Sequence, residues 1–159
     1  YVTQVRISGN GKRIVSVAEN VRVWDMDTGK ELLALKKDTV DSRVAISRDG
    51  KLIATAGRDQ HLRVRDAQTG AEVKTISKAA FGDVAFSPDG KRVIAGSDTG
   101  GPLTCGWVKA WEVATGRETA SYRAHKTRLK SLAVSADGTR VVSGDDDGNV
   151  SLWNLQENR

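Results

Sequence analysis

The stretch "LAVSADGTRVVSGDDDGNVSLWNL", Leu132–Leu155, decides how this chain folds. Short runs rich in valine and leucine alternate with polar turns. Arg140–Ser143 reads as a strand bounded by turn signals. Asp137-Gly138 supplies the positive φ that a tight hairpin needs. In "VSLW" the alternation puts Val150 and Leu152 on one face. No part of the chain sustains a helical period over three turns.

The same pattern recurs upstream. "VRISGNGKRIVSV" from Val5, "VAISRDGKLIATA" from Val44 and "VAFSPDGKRVIAG" from Val84 resemble "LAVSADGTRVVSG" from Leu132. Their glycines, Gly11, Gly50, Gly90 and Gly138, are spaced by 39, 40 and 48 residues. A second element follows each copy: "VRVWDMDTGKELLAL", "LRVRDAQTGAEVKTI", "VKAWEVATGRETASY" and "VSLWNLQENR". In the second unit this gives strands a to d at Ser42–Ser47, Leu52–Ala56, Leu62–Asp66 and Glu72–Ser77. Four antiparallel strands repeating every 40 residues or so describe a β-propeller blade.

Trp24-Asp25, Arg65-Asp66, Trp111-Glu112 and Trp153-Asn154 fall at one phase of the repeat, with matched Asp-Gly and Thr-Gly turns. On these residues the chain resembles the WD40 repeat family, in the style common in bacterial members. The resemblance covers essentially the whole chain. It implies an all-β, WD40-type β-propeller segment with blades over about 1–41, 42–80, 81–127 and 128–159. Each blade is a four-stranded antiparallel sheet. The last lacks its outer strand, because "LQENR" is too short and polar to supply one.

Composition agrees and narrows the function classes. The 159 residues are 38% hydrophobic and 28% charged, in the range of a globular domain. No apolar run approaches the roughly 18 residues of a membrane-spanning helix. There is no signal-like opening, and a cytoplasmic location is expected. The chain opens on Tyr1 rather than Met, which points to a processed or excised chain. Cys105 is the only cysteine, so no disulfide forms within the chain, and it reads as a plain exposed thiol. The net charge of +5 permits acidic partners or nucleic acid. Lys and Arg are nevertheless spread out, as on solvated strand faces.

The final repeat holds the residues closest to active-site chemistry. Asp145, Asp147 and Asn149 have the alternate spacing of a calcium loop. Val150 stands where the sharp-turn glycine belongs, however, and Gln156 where a bidentate glutamate belongs. His125, Ser143 and Asp147 could instead form a nucleophilic triad, but no Gly-x-Ser-x-Gly elbow is present. The family resemblance implies another role for them, a structural tetrad of His125, Ser143, Asp147 and Trp153. In it the histidine bonds the aspartate and the hydroxyl, and the hydroxyl bonds the indole. A buried indole N–H or imidazole without a partner costs on the order of 1–3 kcal/mol.

The other blades carry altered versions of this set. Thr55 and Asp59 persist in blade two, with Arg65 for the tryptophan and Lys37 near the histidine position. Ser16 and Trp24 persist in blade one. His61 has no metal-ligand spacing, and neither a phosphate loop nor Gly-x-Gly-x-x-Gly occurs. No cofactor, metal site or catalytic group is expected.

The a–b and c–d turns are nearly uniform and lie on one rim. The opposite rim carries the d–a and b–c loops, which differ from blade to blade; the b–c loops read "AEN", "GRDQH", "SDTGGPLTCGW" and "DDDGN". Variable loops on a rigid frame are where binding residues collect, and the family commonly binds partners through this rim. Candidate partner-binding residues are Lys37, Arg43, Arg58, His61, Asp98, Trp107, Lys126, Arg128 and Asp146. Trp107 either begins strand c and caps the blade or stands exposed in the loop.

A protein-interaction scaffold is the expected function. The alternative is a nucleic-acid or polyanion-binding module using the basic rim residues, such as Lys126, Arg128 and Lys130. Rings of this family usually have about seven or eight blades. Four blades leave two faces uncovered, so the ring is expected to be completed by a second copy or by further blades of a larger chain.

Overall fold

In the computed structural model the residues described are 1–35, 41–57, 59–78, 81–97 and 106–155. They form fifteen strands, with no helix among the described residues. Blade one holds β1 (Gln4–Ile7), β2 (Arg13–Val17), β3 (Val21–Asp25) and β4 (Glu31–Ala34). Blade two holds β5 (Asp41–Ile46), β6 (Leu52–Gly57), β7 (His61–Asp66) and β8 (Glu72–Lys78). Blade three holds β9 (Phe81–Phe86), β10 (Arg92–Ser97), β11 (Gly106–Glu112) and β12 (Glu118–His125). Blade four holds β13 (Leu129–Val134), β14 (Arg140–Asp145) and β15 (Val150–Asn154). Each sheet is an antiparallel meander in chain order, with three strands in the fourth among the described residues.

The a–b turns explain the repeated Ser-x-Asp-Gly. The Ser47, Ser87 and Ser135 hydroxyls donate to Asp49, Asp89 and Asp137 at 2.6, 2.5 and 2.5 Å. The same serine oxygens accept the backbone N–H of Leu52, Arg92 and Arg140. Ser8 and Asn10 repeat the arrangement in blade one at 2.7 Å. The glycine that follows must reverse the chain, and Gly50, Gly90 and Gly138 take φ of 74°, 69° and 72°.

The aspartate of the Trp-Asp dipeptide closes the other turn on this rim. Asp25 Oδ1 accepts from the Thr28 N–H and hydroxyl at 2.8 and 2.7 Å, and Asp66 does the same with Thr69. These are Asx-type caps, in which a short side chain replaces a backbone acceptor.

The apolar alternation fills three junctions between blades. Val15, Val17, Val21 and Val23 of blade one pack on Val44 and Ile53 of blade two. Ala54, Ala56, Leu62 and Val64 of blade two meet Val84, Phe86, Val93 and Trp111 of blade three. Ile94, Val108, Ala110 and Ala120 of blade three meet Leu132, Val141 and Leu155 of blade four. Each sheet is thus buried on both faces wherever it has two neighbours. This sandwich of apolar layers is the main stabilising term.

The four innermost strands converge on a cavity of about 200 Å³, lined by Ile7, Ile46, Phe86 and Val134 among others. One residue near the start of each of the first three inner strands reaches to the next blade. Gln4 Oε1 accepts from the Val44 N–H at 2.6 Å, Arg43 Nε donates to the Gly82 carbonyl, and Asp83 Oδ2 accepts from the Leu132 N–H at 3.1 Å. Gly82 is required here, because a Cβ would lie 1.9 Å from the Leu129 carbonyl oxygen.

Candidate functional site

The polar quartet of the last blade straddles the junction of blades three and four. His125 ends β12, Ser143 and Asp145 lie on β14, and Trp153 lies on β15. Trp153 Nε1 donates to Ser143 Oγ at 3.2 Å, Ser143 Oγ lies 2.7 Å from His125 Nε2, and His125 Nδ1 lies 3.2 Å from Asp145 Oδ2. One arrangement of hydrogens satisfies the whole chain of bonds. The indole donates to the hydroxyl, the hydroxyl to Nε2, and Nδ1–H to the carboxylate.

The carboxylate facing His125 belongs to Asp145, not to Asp147, the residue assigned to the tetrad from the sequence. The cause is strand parity. Asp145 lies two residues beyond Ser143, so both side chains point to the same buried face. Asp147 lies in the exposed turn, and its own N–H donates to Asp145 Oδ1 at 3.1 Å. Burial opposes ionisation of Asp145. Bonds from the Asn149 side chain and backbone, and the nearby imidazole, outweigh it and hold this carboxyl below the usual carboxylate range.

Ser143 and His125 are both buried. The hydroxyl is occupied on both sides, so no substrate carbonyl reaches it while the indole and imidazole hold their places. Tyr122 stacks on Trp153 with ring centroids 5.5 Å apart and donates its hydroxyl to the Asn154 carbonyl at 2.7 Å.

The corresponding bonds differ in the other blades. Trp24 Nε1 donates to Ser16 Oγ at 2.9 Å. In blade two Arg65 Nη1 donates to Thr55 Oγ1 at 2.6 Å, a charged donor in the place of the indole. Blade three has Ala95 where the strand-b hydroxyl would stand. Asp59 pairs with Arg63 and with His61 of its own blade.

The rim residues proposed from the sequence have different fates. Lys37, Arg58, Asp98 and Cys105 lie outside the described residues. Arg43 is half-buried and committed to the Gly82 carbonyl. His61 is half-buried, with Nδ1 2.9 Å from the Asp59 carbonyl oxygen. Trp107 stands on β11, half-buried, with the Lys109 ammonium 5.9 Å from its ring centroid.

Lys126 and Arg128 are exposed in the loop between β12 and β13. That loop meets the b–c turn of blade four, where the Asp146 N–H donates to the Arg128 carbonyl at 3.0 Å and Lys130 pairs with Asp146 at 3.0 Å. The fold therefore gathers Lys126, Arg128, Lys130 and Asp146 into one exposed patch directly above the buried quartet. The inter-blade roles of Gln4 and Asp83 were not visible in the sequence. Their only signal was a polar residue directly before the apolar run of each unit.

Antiparallel four-stranded meanders stacked on their innermost strands define a β-propeller, here seen as four consecutive blades. Residues 32–66, 71–100 and 116–154 match the family model of the WD domain, G-beta repeat, and the chain belongs to the WD40 repeat family. Proteins of this family generally mediate protein–protein interaction and are typically non-catalytic.

Among its relatives is an uncharacterized WD repeat-containing protein of Synechocystis sp., 31% identical over 121 residues, covering 72% of this chain and 33% of that protein. Human apoptotic protease-activating factor 1 is 28% identical over 130 residues, covering 75% of this chain and 10% of that protein. A coronin-like protein of Saccharomyces cerevisiae is 39% identical over 44 residues, covering 28% of this chain and 7% of that protein. The chain thus spans a third or less of the length of the curated relatives it matches. No helix among the described residues is long and apolar enough to cross a membrane.

Proposed function

We propose that these blades form a non-catalytic interaction scaffold that engages a protein partner through the rim of d–a and b–c loops, centred on Lys126, Arg128 and Asp146. The observation that carries this reading is the layering of blade four. The group that resembles a catalytic triad is sealed beneath the rim, and exposed charged side chains stand above it. Mixed charge on a rigid frame suits recognition of a complementary protein surface, since rim charges set orientation and encounter rate.

The test is affinity capture with the wild-type chain, Arg128→Glu, and Lys12→Glu on the opposite rim. Partners lost with Arg128→Glu and kept with Lys12→Glu support the rim. Equal capture by all three refutes it. The basic set Lys126, Arg128 and Lys130 also admits a polyanion ligand. Oligonucleotide binding that falls steeply with added salt would identify that case, although the Lys130–Asp146 pair and the adjoining Asp147 oppose it.

A further inference from the structure

The a–b turns are nearly uniform except at their second position, where blades one to four carry Gly9, Arg48, Pro88 and Ala136. The turns of blades one, two and three border a cleft of about 450 Å³, lined by Gly9, Asn10, Arg48, Asp49, Pro88 and Asp89 among others. Its walls span two junctions internal to the described chain, so it owes nothing to the outer faces of the first and last blades. The volume falls within the range of about 300–1,000 Å³ usual for small-molecule sites.

Arg48 is not needed by the turn that holds it. Ser47, Asp49 and Gly50 close that turn, and glycine, proline and alanine serve at the same place in the other blades. The structure nevertheless makes room for its stem across the junction. A Cβ on Gly9 would lie 2.5 Å from Arg48 Cγ, while the φ of Gly9 lies outside the left-handed region. The arginine stem, not the turn, therefore requires glycine there. Asn10 fastens the two turns together, its N–H and side-chain amide donating to the Arg48 and Asp49 carbonyls at 2.8 and 2.7 Å. The Arg48 guanidinium stands exposed, with no hydrogen bond or ion pair among the described residues.

Asp49 and Asp89 share the cleft. Asp49 Oδ1 accepts from the Ser47 hydroxyl and the Lys51 N–H at 2.6 and 3.0 Å, and Asp89 Oδ1 from the Ser87 hydroxyl and the Lys91 N–H at 2.5 and 3.0 Å. The serine bonds hold both carboxyls below the usual carboxylate range, so both are ionised at neutral pH. A guanidinium presents a fork of N–H donors matched to a carboxylate. A bare anion in this cleft would also meet two negative charges, whereas a ligand carrying both signs satisfies all three groups.

We propose that this cleft binds a small zwitterion, its carboxylate on the Arg48 guanidinium and its ammonium on Asp49 and Asp89. The site lies on the rim opposite the Lys126–Arg128 patch and does not depend on the rim reading.

The experiment is a titration of the chain with glycine, β-alanine and γ-aminobutyrate, and with acetate and ethylammonium as the two half-ligands, followed by the backbone amide NMR shifts of Gly9, Asn10 and Asp89. At least one zwitterion should give saturable shifts at these amides, binding at least about 10-fold more tightly than either half-ligand. Arg48→Ala should weaken that binding by about 10-fold or more, and Ala136 at the same position of blade four shows that the turn accepts alanine. Gly9→Ala, which crowds the arginine stem and leaves every charge in place, should weaken it by roughly 3-fold or more. Shifts elsewhere in the spectrum that match the wild type show that both variants remain folded. Absence of saturable shifts with all three zwitterions would overturn the proposal. So would binding that survives Arg48→Ala undiminished, or acetate bound as tightly as the zwitterions, which would make the cleft a plain anion site.

Discussion

Blade four and blade two solve one packing problem with different chemistry. Both place a nitrogen donor from strand c against a hydroxyl on strand b. Blade four uses Trp153 on Ser143, and blade two uses Arg65 on Thr55. In blade four the hydroxyl continues to His125 and Asp145, tying the blade to the last strand of the one before it. In blade two the carboxylate of Asp59 turns instead to Arg63 and His61 in its own sheet. The position thus demands a long side chain with an N–H at its tip, and an arginine stem fulfils that demand while its charged head remains hydrogen-bonded. Coupling through the strand-b hydroxyl to the last strand of the preceding blade is the additional property that blade four has.

The largest expected contrast comes from truncating the two donors. Trp153→Ala removes the stacking on Tyr122, apolar burial and the Ser143 bond, and should cost about 3 kcal/mol. Arg65→Ala should cost about 1 kcal/mol. Urea denaturation measures both, and equal losses would erase the distinction between the blades.

Next is His125→Ala, which leaves the Ser143 hydroxyl and the Asp145 carboxylate without their shared partner. A loss of roughly 1–3 kcal/mol is expected, read from the melting midpoint. An unchanged midpoint would mean that the bridge between blades three and four contributes nothing.

A finer comparison separates the two aspartates. Asp145→Asn should lower the melting midpoint by a few degrees. Asp147→Asn, in the exposed turn, should move it by less than about 1 °C. The reverse order would restore Asp147 as the partner of His125.

The smallest effect is a dependence on acid that comes mainly from the turns. The Ser135 hydroxyl, with the Thr139 N–H and hydroxyl, holds the Asp137 carboxyl down at about 2. The Ser47 hydroxyl bond lowers Asp49, the Ser87 hydroxyl bond lowers Asp89, and bonds from Thr28 and Thr69 lower Asp25 and Asp66. A carboxyl whose folded value lies below its unfolded value of about 4 stabilises the fold above that pH. The contribution is lost as pH falls through the folded value. The melting midpoint should therefore decline on acidification from about pH 4 toward 2, and Asp137→Asn should make the decline shallower. A decline of unchanged steepness in Asp137→Asn would exclude this turn as a contributor.

Much of this molecule is legible in one dimension because its strongest rules are local. Ser-x-Asp-Gly encodes its own turn through bonds spanning two to five residues, and two-residue alternation encodes which side chains are buried. Hence the phase of the four repeats and the strand-c tryptophans follow from pattern, whereas the roles of Ser143 and His125 were implied only by the resemblance to the WD40 family. Asp147 was misassigned because the run Asp145–Asp147 offers three equivalent letters, and only the pleat decides which carboxylate faces inward. Arg43 and His61 are legible as polar rim candidates but not as bonded groups, since their partners, the Gly82 and Asp59 carbonyls, are backbone atoms. A backbone acceptor leaves no letter in the sequence.

By itself the sequence determined the strand repeat, the turn chemistry and the membership of a propeller family, all products of forces acting within about ten residues. Tertiary structure alone decided which face of each sheet meets which neighbour and which aspartate turns toward the histidine. Those outcomes depend on contacts between residues from 20 positions apart, as for His125 and Asp145, to 49, as for Asp83 and Leu132, where register and packing, rather than local propensity, set the free energy.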